Sequence, residues 1–221
     1  MKKKLFLVHT VNQFMDMIYN PFAKPFLEAY PEVEVHNICD DSLLKDTLSA
    51  GSMPNAVAAR ILSYVSCAEK AGADAVMVTC TSVNASASYA RKVADIPVFN
   101  IDEPMVTLAL EAGTKIGVLG TLPTSPGATV RILEQQAKQQ GKVITVTTKV
   151  AEGAFEALTS GNIKKHDEMV SKALAALAQE VDVVCFAQVS MSKVMHADCG
   201  KPVFKIGKSG FDYAAKILNL K

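Results

Sequence analysis

Short β-branched runs alternating with longer helical stretches predict an α/β chain on parallel sheets. Matching segments in its two halves predict two similar units related by a pseudo-twofold axis. Composition bounds the same answer. A chain of 221 residues, 49% hydrophobic and 20% charged, can bury one large core or two smaller ones, which excludes a disordered or fibrous protein.

The first strand is read at residues 5–9. The basic start, Met1 to Lys4, imitates a signal peptide, but His9, Thr10, Asn12 and Gln13 cut the apolar run too short for one. Further strands are expected at 33–38, 75–78, 97–99, 115–119, 143–147, 182–187 and 202–204, each short and β-branched or apolar. Between the second and third, Val57, Ile61, Leu62, Val65 and Ala68 form a helical stripe over 55–71 that ends at Gly72. Asp102 is a candidate N-cap for a helix over 103–112, with Gly113 as its C-cap. Asn162 caps a helix over 163–179, where Val170, Leu174, Leu177 and Ala178 repeat the stripe.

The repeat is carried by three pairs in the same order. Phe6-Leu7-Val8-His9-Thr10 matches Gly117-Val118-Leu119-Gly120-Thr121, and Ala73-Asp74-Ala75-Val76 matches Val181-Asp182-Val183-Val184. Pro97-Val98-Phe99-Asn100-Ile101-Asp102 matches Pro202-Val203-Phe204-Lys205-Ile206-Gly207. The expected division is a first lobe of 1–100 with 205–221 and a second lobe of 101–204. In parallel sheets the carboxyl ends of strands are where ligands bind, so the two lobes are expected to share a cleft there.

Lys and Arg total 23 against 22 Asp and Glu, so no global field draws nucleic acid or an anionic membrane. No apolar run reaches the length of a membrane helix. Five widely spaced cysteines, Cys39, Cys67, Cys80, Cys185 and Cys199, suit reduced thiols and a cytoplasmic protein.

Two strand ends carry chemistry. Val78-Thr79-Cys80-Thr81-Ser82-Val83-Asn84 places a thiol, hydroxyls and a carboxamide at a strand-to-helix turn, where free N–H groups bind a carboxylate and lower a thiol's pKa. Cys80 is then expected to be partly thiolate. The same residues also read as N-caps, and Cys80 as an inert core thiol. The second turn, Gly120-Thr121-Leu122-Pro123-Thr124-Ser125, is a candidate small-anion cradle; it has neither a Walker motif nor a spaced glycine fingerprint, which argues against nucleotides. Of the histidines, His166 reads as exposed in the Lys164-Lys165-His166-Asp167-Glu168 run and His36 as structural. None has metal-ligand spacing, and no metal is expected.

These segments, above all 74–84, 94–121 and 182–191, resemble the aspartate/glutamate/hydantoin racemase superfamily over nearly the whole chain. The resemblance implies two like flavodoxin-like domains, no cofactor, and a small carboxylate substrate. It further implies Cys80 as the first-half catalytic cysteine, with Thr10, Asn12, Thr81, Ser82, Asn84, Thr121, Thr124 and Ser190 around the carboxylate and His9 beside the cleft. Where the family writes Gly-Cys-Thr after the seventh strand, this chain has Ala187-Gln188-Val189. A carboxamide cannot relay protons. Gln188 therefore leaves the second acid/base role to a substitute such as His196, while Cys185 falls on the other side of the strand and Cys199 reads as a surface thiol. The expected function is racemase or isomerase chemistry next to a carboxylate, inversion needing one group on each face. The alternatives are a one-thiol decarboxylase, lyase or cis-trans isomerase on the same scaffold, and a noncatalytic carboxylate binder. A homodimer through an apolar helix face is a further expectation.

Overall fold

A computed structural model describes residues 2–221, all with their side chains apart from Thr124. The chain divides into two compact units, Met1–Glu103 with Gly207–Lys221 and Pro104–Ile206.

In the first unit β1 (Lys3–His9), β2 (Val33–Cys39), β3 (Ala75–Val78) and β4 (Val98–Asn100) form a wholly parallel sheet in the order β2-β1-β3-β4. A π-helical segment, Met15–Ala23, and α1 (Lys24–Ala29) join β1 to β2. α2 (Ser42–Ser49) and α3 (Asn55–Lys70) lead to β3, and α4 (Ala85–Ala90) leads to β4. The second unit begins in α5 (Glu103–Ala112). Its strands β5 (Lys115–Gly120), β6 (Thr145–Val150), β7 (Val183–Phe186) and β8 (Val203–Phe204) repeat the arrangement as β6-β5-β7-β8, again all parallel. α6 (Thr124–Gln139), α7 (Ala154–Thr159) and α8 (Ile163–Leu177) connect them, and the chain returns to the first unit as α9 (Lys208–Ile217). This is the flavodoxin-like strand order twice over, as expected.

The central strands are apolar runs because both faces are covered: all four residues of β3 and of β7 are buried. The edge strands β2 and β6 are half exposed and correspondingly polar. The helical stripe of α3 packs Val57, Ile61, Val65 and Ala68 against Val76 and Val78, and α8 packs Val170, Leu174 and Leu177 against Leu119, Val184 and Phe186. Each large aliphatic residue buried this way contributes about 1.5–3 kcal/mol.

The two units use the same devices to fix register. The Asp74 carboxylate accepts from the Lys4 N–H (2.8 Å) and that of Asp182 from the Lys115 N–H (2.9 Å), each pinning the start of a central strand. The carbonyls of Pro97 and Pro202 accept from Val76 and Val184, both at 2.9 Å. Gly72 terminates α3 in the left-handed region (φ 80°), with Gly72 N–H on the Glu69 carbonyl and Ala73 N–H on that of Ala68, so the orphan carbonyls are satisfied. Asn162 accepts from the Lys165 N–H at 3.1 Å, the expected N-cap of α8.

Three expectations change. The sixth strand runs 145–150 rather than 143–147, because its ladder begins where the Thr145 N–H meets the Thr114 carbonyl beside β5; Val143 is left 89% exposed. Gly113 does end α5, but not through a left-handed backbone; a Cβ there would collide with the Asp182 side chain. His166, read as exposed, is buried with Nδ1 2.8 Å from the Asp167 carboxylate, since it precedes Val170 by one helical turn and shares its inward face. Among the described residues no helix is long and apolar enough to cross a membrane.

Candidate functional site

In the first unit the ladder runs one step past β3, with the Thr79 N–H on the Val8 carbonyl (3.0 Å). Cys80 follows in an extended conformation (φ −132°, ψ 126°) and opens a 3₁₀ turn over Thr81–Val83. The N–H groups of Ser82 and Val83 in that turn and the Thr10 hydroxyl, just past the end of β1, favour the charged form of the Cys80 sulfur. Cys80 keeps partial exposure, whereas Thr10, Thr81, Ser82 and Asn84 are buried around it.

Burial pushes the Cys80 thiol up from its ordinary value. The three hydrogen bonds oppose this, the charge of Asp102 adds to it, and the net direction is upward. The expectation of a partly ionised thiol is thereby corrected: a three-residue turn supplies N–H donors but no helix macrodipole, and desolvation of the sulfur wins. The donors remain well placed for a thiolate once one forms.

Two further expectations fail in this unit. His9 precedes Thr10 on β1, so strand alternation turns it to the opposite face of the sheet from Cys80. There it is fully buried between Thr79 (Nδ1 to Oγ1, 2.9 Å) and Asn37 (Nε2 to Oδ1, 2.9 Å), stacked on Phe14 with centroids 4.3 Å apart. Burial pulls its pKa down to about 4 against the hydrogen bond to Asn37, so the ring is neutral. The Thr79 hydroxyl also reaches the Val8 carbonyl, to which it donates at 3.1 Å. Asn12 is exposed and donates to the Asp41 carboxylate at 3.0 Å, tying the loop after β1 to the start of α2 instead of lining the Cys80 turn. Asn84 is buried but its amide is directed to the Asp102 carboxylate at 3.0 Å.

The equivalent point of the second unit is Gln188. The Ala187 N–H donates to the Leu119 carbonyl (2.8 Å), as Thr79 does to Val8, and Gln188 is extended (φ −140°, ψ 142°) before a 3₁₀ turn over Val189–Lys193. Its Oε1 accepts from the Thr121 N–H (2.5 Å), the Thr121 hydroxyl (3.1 Å) and the Leu122 N–H (3.2 Å). Two backbone donors at one atom identify that atom as the oxygen. Thr121 thus stands to Gln188 as Thr10 stands to Cys80, and the cradle expected at the 120–125 turn is occupied by the protein's own carboxamide. Ser190 is half-buried within the adjoining turn. Thr124 falls outside the described side chains.

Among the described residues the hydrogen bonds of the Gln188 carboxamide come from Thr121 and Leu122, and His196, Cys185 and Cys199 each have other surroundings. The His196 ring lies edge-on to Phe186 at 5.8 Å, and its Nδ1 donates to the adjacent Ala197 carbonyl at 2.9 Å. Cys185 is buried on the other face of β7, its thiol pushed up to about 12 by burial. Cys199 is partly buried at the edge of the second core rather than a surface thiol, with Sγ 3.5 Å from the Lys201 carbonyl.

Sequence reasoning missed Asn100, whose amide donates to the Cys80 carbonyl at 3.0 Å, and the proximity of Asp102. The available signal was the pair of polar residues interrupting the apolar segment Val98-Phe99-Asn100-Ile101-Asp102.

A family model described as Asp/Glu/Hydantoin racemase matches residues 26–214. Among solved structures, glutamate racemase isoform RacE1 from Bacillus anthracis is 15% identical with a TM-score of 0.71, covering 98% of this chain and 82% of that one. An aspartate racemase homologue from Pyrococcus horikoshii OT3 is 15% identical with a TM-score of 0.69, covering 99% and 98%. Allantoin racemase from Klebsiella pneumoniae is also 15% identical, with a TM-score of 0.65 and coverage of 99% and 89%. At such identities these likenesses speak for the fold. No curated protein sequence matches.

Proposed function

The chain belongs to the Asp/Glu/hydantoin racemase family, and we propose that it is a cofactor-independent racemase- or isomerase-like enzyme acting at the carbon next to a carboxylate, with Cys80 as its acid/base thiol. The observation that carries this reading is the Cys80 turn. Its sulfur sits among the Thr10 hydroxyl and the N–H groups of Ser82 and Val83, a donor set that stabilises negative charge on sulfur during the reaction. In the proposed step the Cys80 thiol first gives its proton to water; the thiolate takes the proton from the α-carbon and becomes the thiol again, the electron pair delocalises into the adjacent carboxylate, and a protonated water on the opposite face returns a proton to the carbon. The hydroxyls of Thr81 and Ser82, on the same turn, are the candidates for holding the carboxylate.

A second reading is favoured by two observations, the upward-shifted Cys80 thiol and the carboxamide at position 188. A group that rests as a protonated thiol is ready to donate. In a one-thiol decarboxylation the bond to the carboxylate breaks, carbon dioxide leaves, and the carbanion takes the Cys80 proton; water then restores the thiol.

Proton NMR in deuterium oxide over a panel of small chiral acids, amino acids and hydantoins tests both. Exchange with inversion supports a racemase, exchange without inversion a one-faced isomerase, and loss of carbon dioxide the decarboxylase. In each case Cys80→Ser is expected to lower the rate by about 10²–10⁴-fold. Ligand binding with no turnover, unaffected by Cys80→Ser, would leave only a noncatalytic binder.

A further inference from the structure

Asp102 is fully buried in the first unit, in the short link between β4 and α5. Carboxylates are almost never buried to that extent without a structural or chemical reason. The link holds the Cys80 turn at both ends. At one end the Asn100 amide donates to the Cys80 carbonyl (3.0 Å); at the other, the Asn84 amide donates to the Asp102 carboxylate (3.0 Å). The link is itself braced by the Asp102 N–H on the Asn100 oxygen at 3.4 Å. Between these two anchors lie Ser82 and Val83, whose N–H groups act on the sulfur, and the Asn84 N–H closes the turn on the Thr81 carbonyl at 3.2 Å.

We propose that Asp102 is the positioning residue of the Cys80 turn: it holds Asn84, and through it the donors that act on the sulfur. The groups acting on the sulfur are Thr10 from β1, Ser82 and Val83 from the turn, and Asp102 from the link, of which Asp102 is the charged one. Flanking that link, Arg91 at the end of α4 is paired with Glu103 at 2.7 Å, and Tyr213 of α9 acts on Arg91. A buried carboxylate disfavours a thiolate nearby, so it keeps the proton on sulfur until the reaction calls for it. The turn supplies the opposite influence through its N–H groups. Asp102 therefore governs both sides of the balance.

The proposal rests on reading Cys80 as the reacting thiol, but its test needs no substrate. Iodoacetamide labelling of the full chain, resolved by peptide mass spectrometry, follows Cys80 against pH with the exposed Cys39 and Cys67 as internal references. Asp102→Asn keeps an acceptor for Asn84 and removes the charge; the Cys80 rate near neutral pH should rise about threefold or more, its pH profile moving to lower pH. Asp102→Ser removes the charge and also releases Asn84, so its Cys80 rate should fall below that of Asp102→Asn, and Asp102→Glu should return the slow rate. An unchanged Cys80 profile in the two neutral variants, or failure of both to fold, overturns the assignment. Absence of turnover on every acid in the panel would instead sink the catalytic reading and leave this measurement standing.

Discussion

His9 illustrates how one side chain couples folding to pH. Its folded pKa of about 4 lies below the ordinary histidine value of 6.5, so the unfolded chain binds a proton across that window and the folded one does not. Stability from this residue is fully present above about pH 6.5 and is lost as pH falls toward 4, a span worth about 3 kcal/mol. Urea unfolding followed over that range should show the loss, and His9→Gln should flatten it; an equally steep curve in the variant would assign the effect elsewhere. Cys80 could be read from the sequence as a strand-end thiol with hydroxyls around it. The direction of its pKa could not, because the sign is set by how far burial outweighs three hydrogen bonds, one of them from a residue 70 positions earlier in the chain.

Element boundaries were legible wherever a local rule fixes them. Gly72, Asn162 and the four-residue span of β3 follow from left-handed backbone, capping oxygen and apolar run alone. The start of β6 was not, since it is decided by the partner strand. Gly207 shows the limit from the other side: it lies at φ 126° and ψ −87° ahead of α9, and any Cβ there would enter the Phe22 ring. Gly207→Ala is therefore expected to cost several kcal/mol and to leave little folded protein, while Asn162→Ala should cost about 1 kcal/mol with α8 intact. Thermal unfolding of both variants checks the ranking, and a harmless Gly207→Ala would mean that Phe22 yields.

For the whole molecule, the division into Met1–Glu103 with Gly207–Lys221 and Pro104–Ile206 makes the second unit one uninterrupted stretch with its own sheet and core. Residues 104–206 expressed alone should give a cooperative unfolding transition with mixed helix and sheet circular dichroism; a flat, featureless melt would show that its core does not suffice. The first unit, closed by α9 from the far end of the chain, has no such continuous fragment. The sequence by itself determined the alternation of strands and helices, the family to which the chain belongs, and the strand-end placement of Cys80 and Gln188, because each is written in periodicity or motif over neighbouring residues. Only the tertiary structure decided that Gln188 fills its own cradle, that His9 turns away from Cys80, and that Asp102 is buried against the Asn84 amide. Those outcomes depend on hydrogen bonds and desolvation between residues distant in the chain, such as Thr121 with Gln188 and His9 with Thr79, and no local pattern encodes which polar groups the fold will bury together.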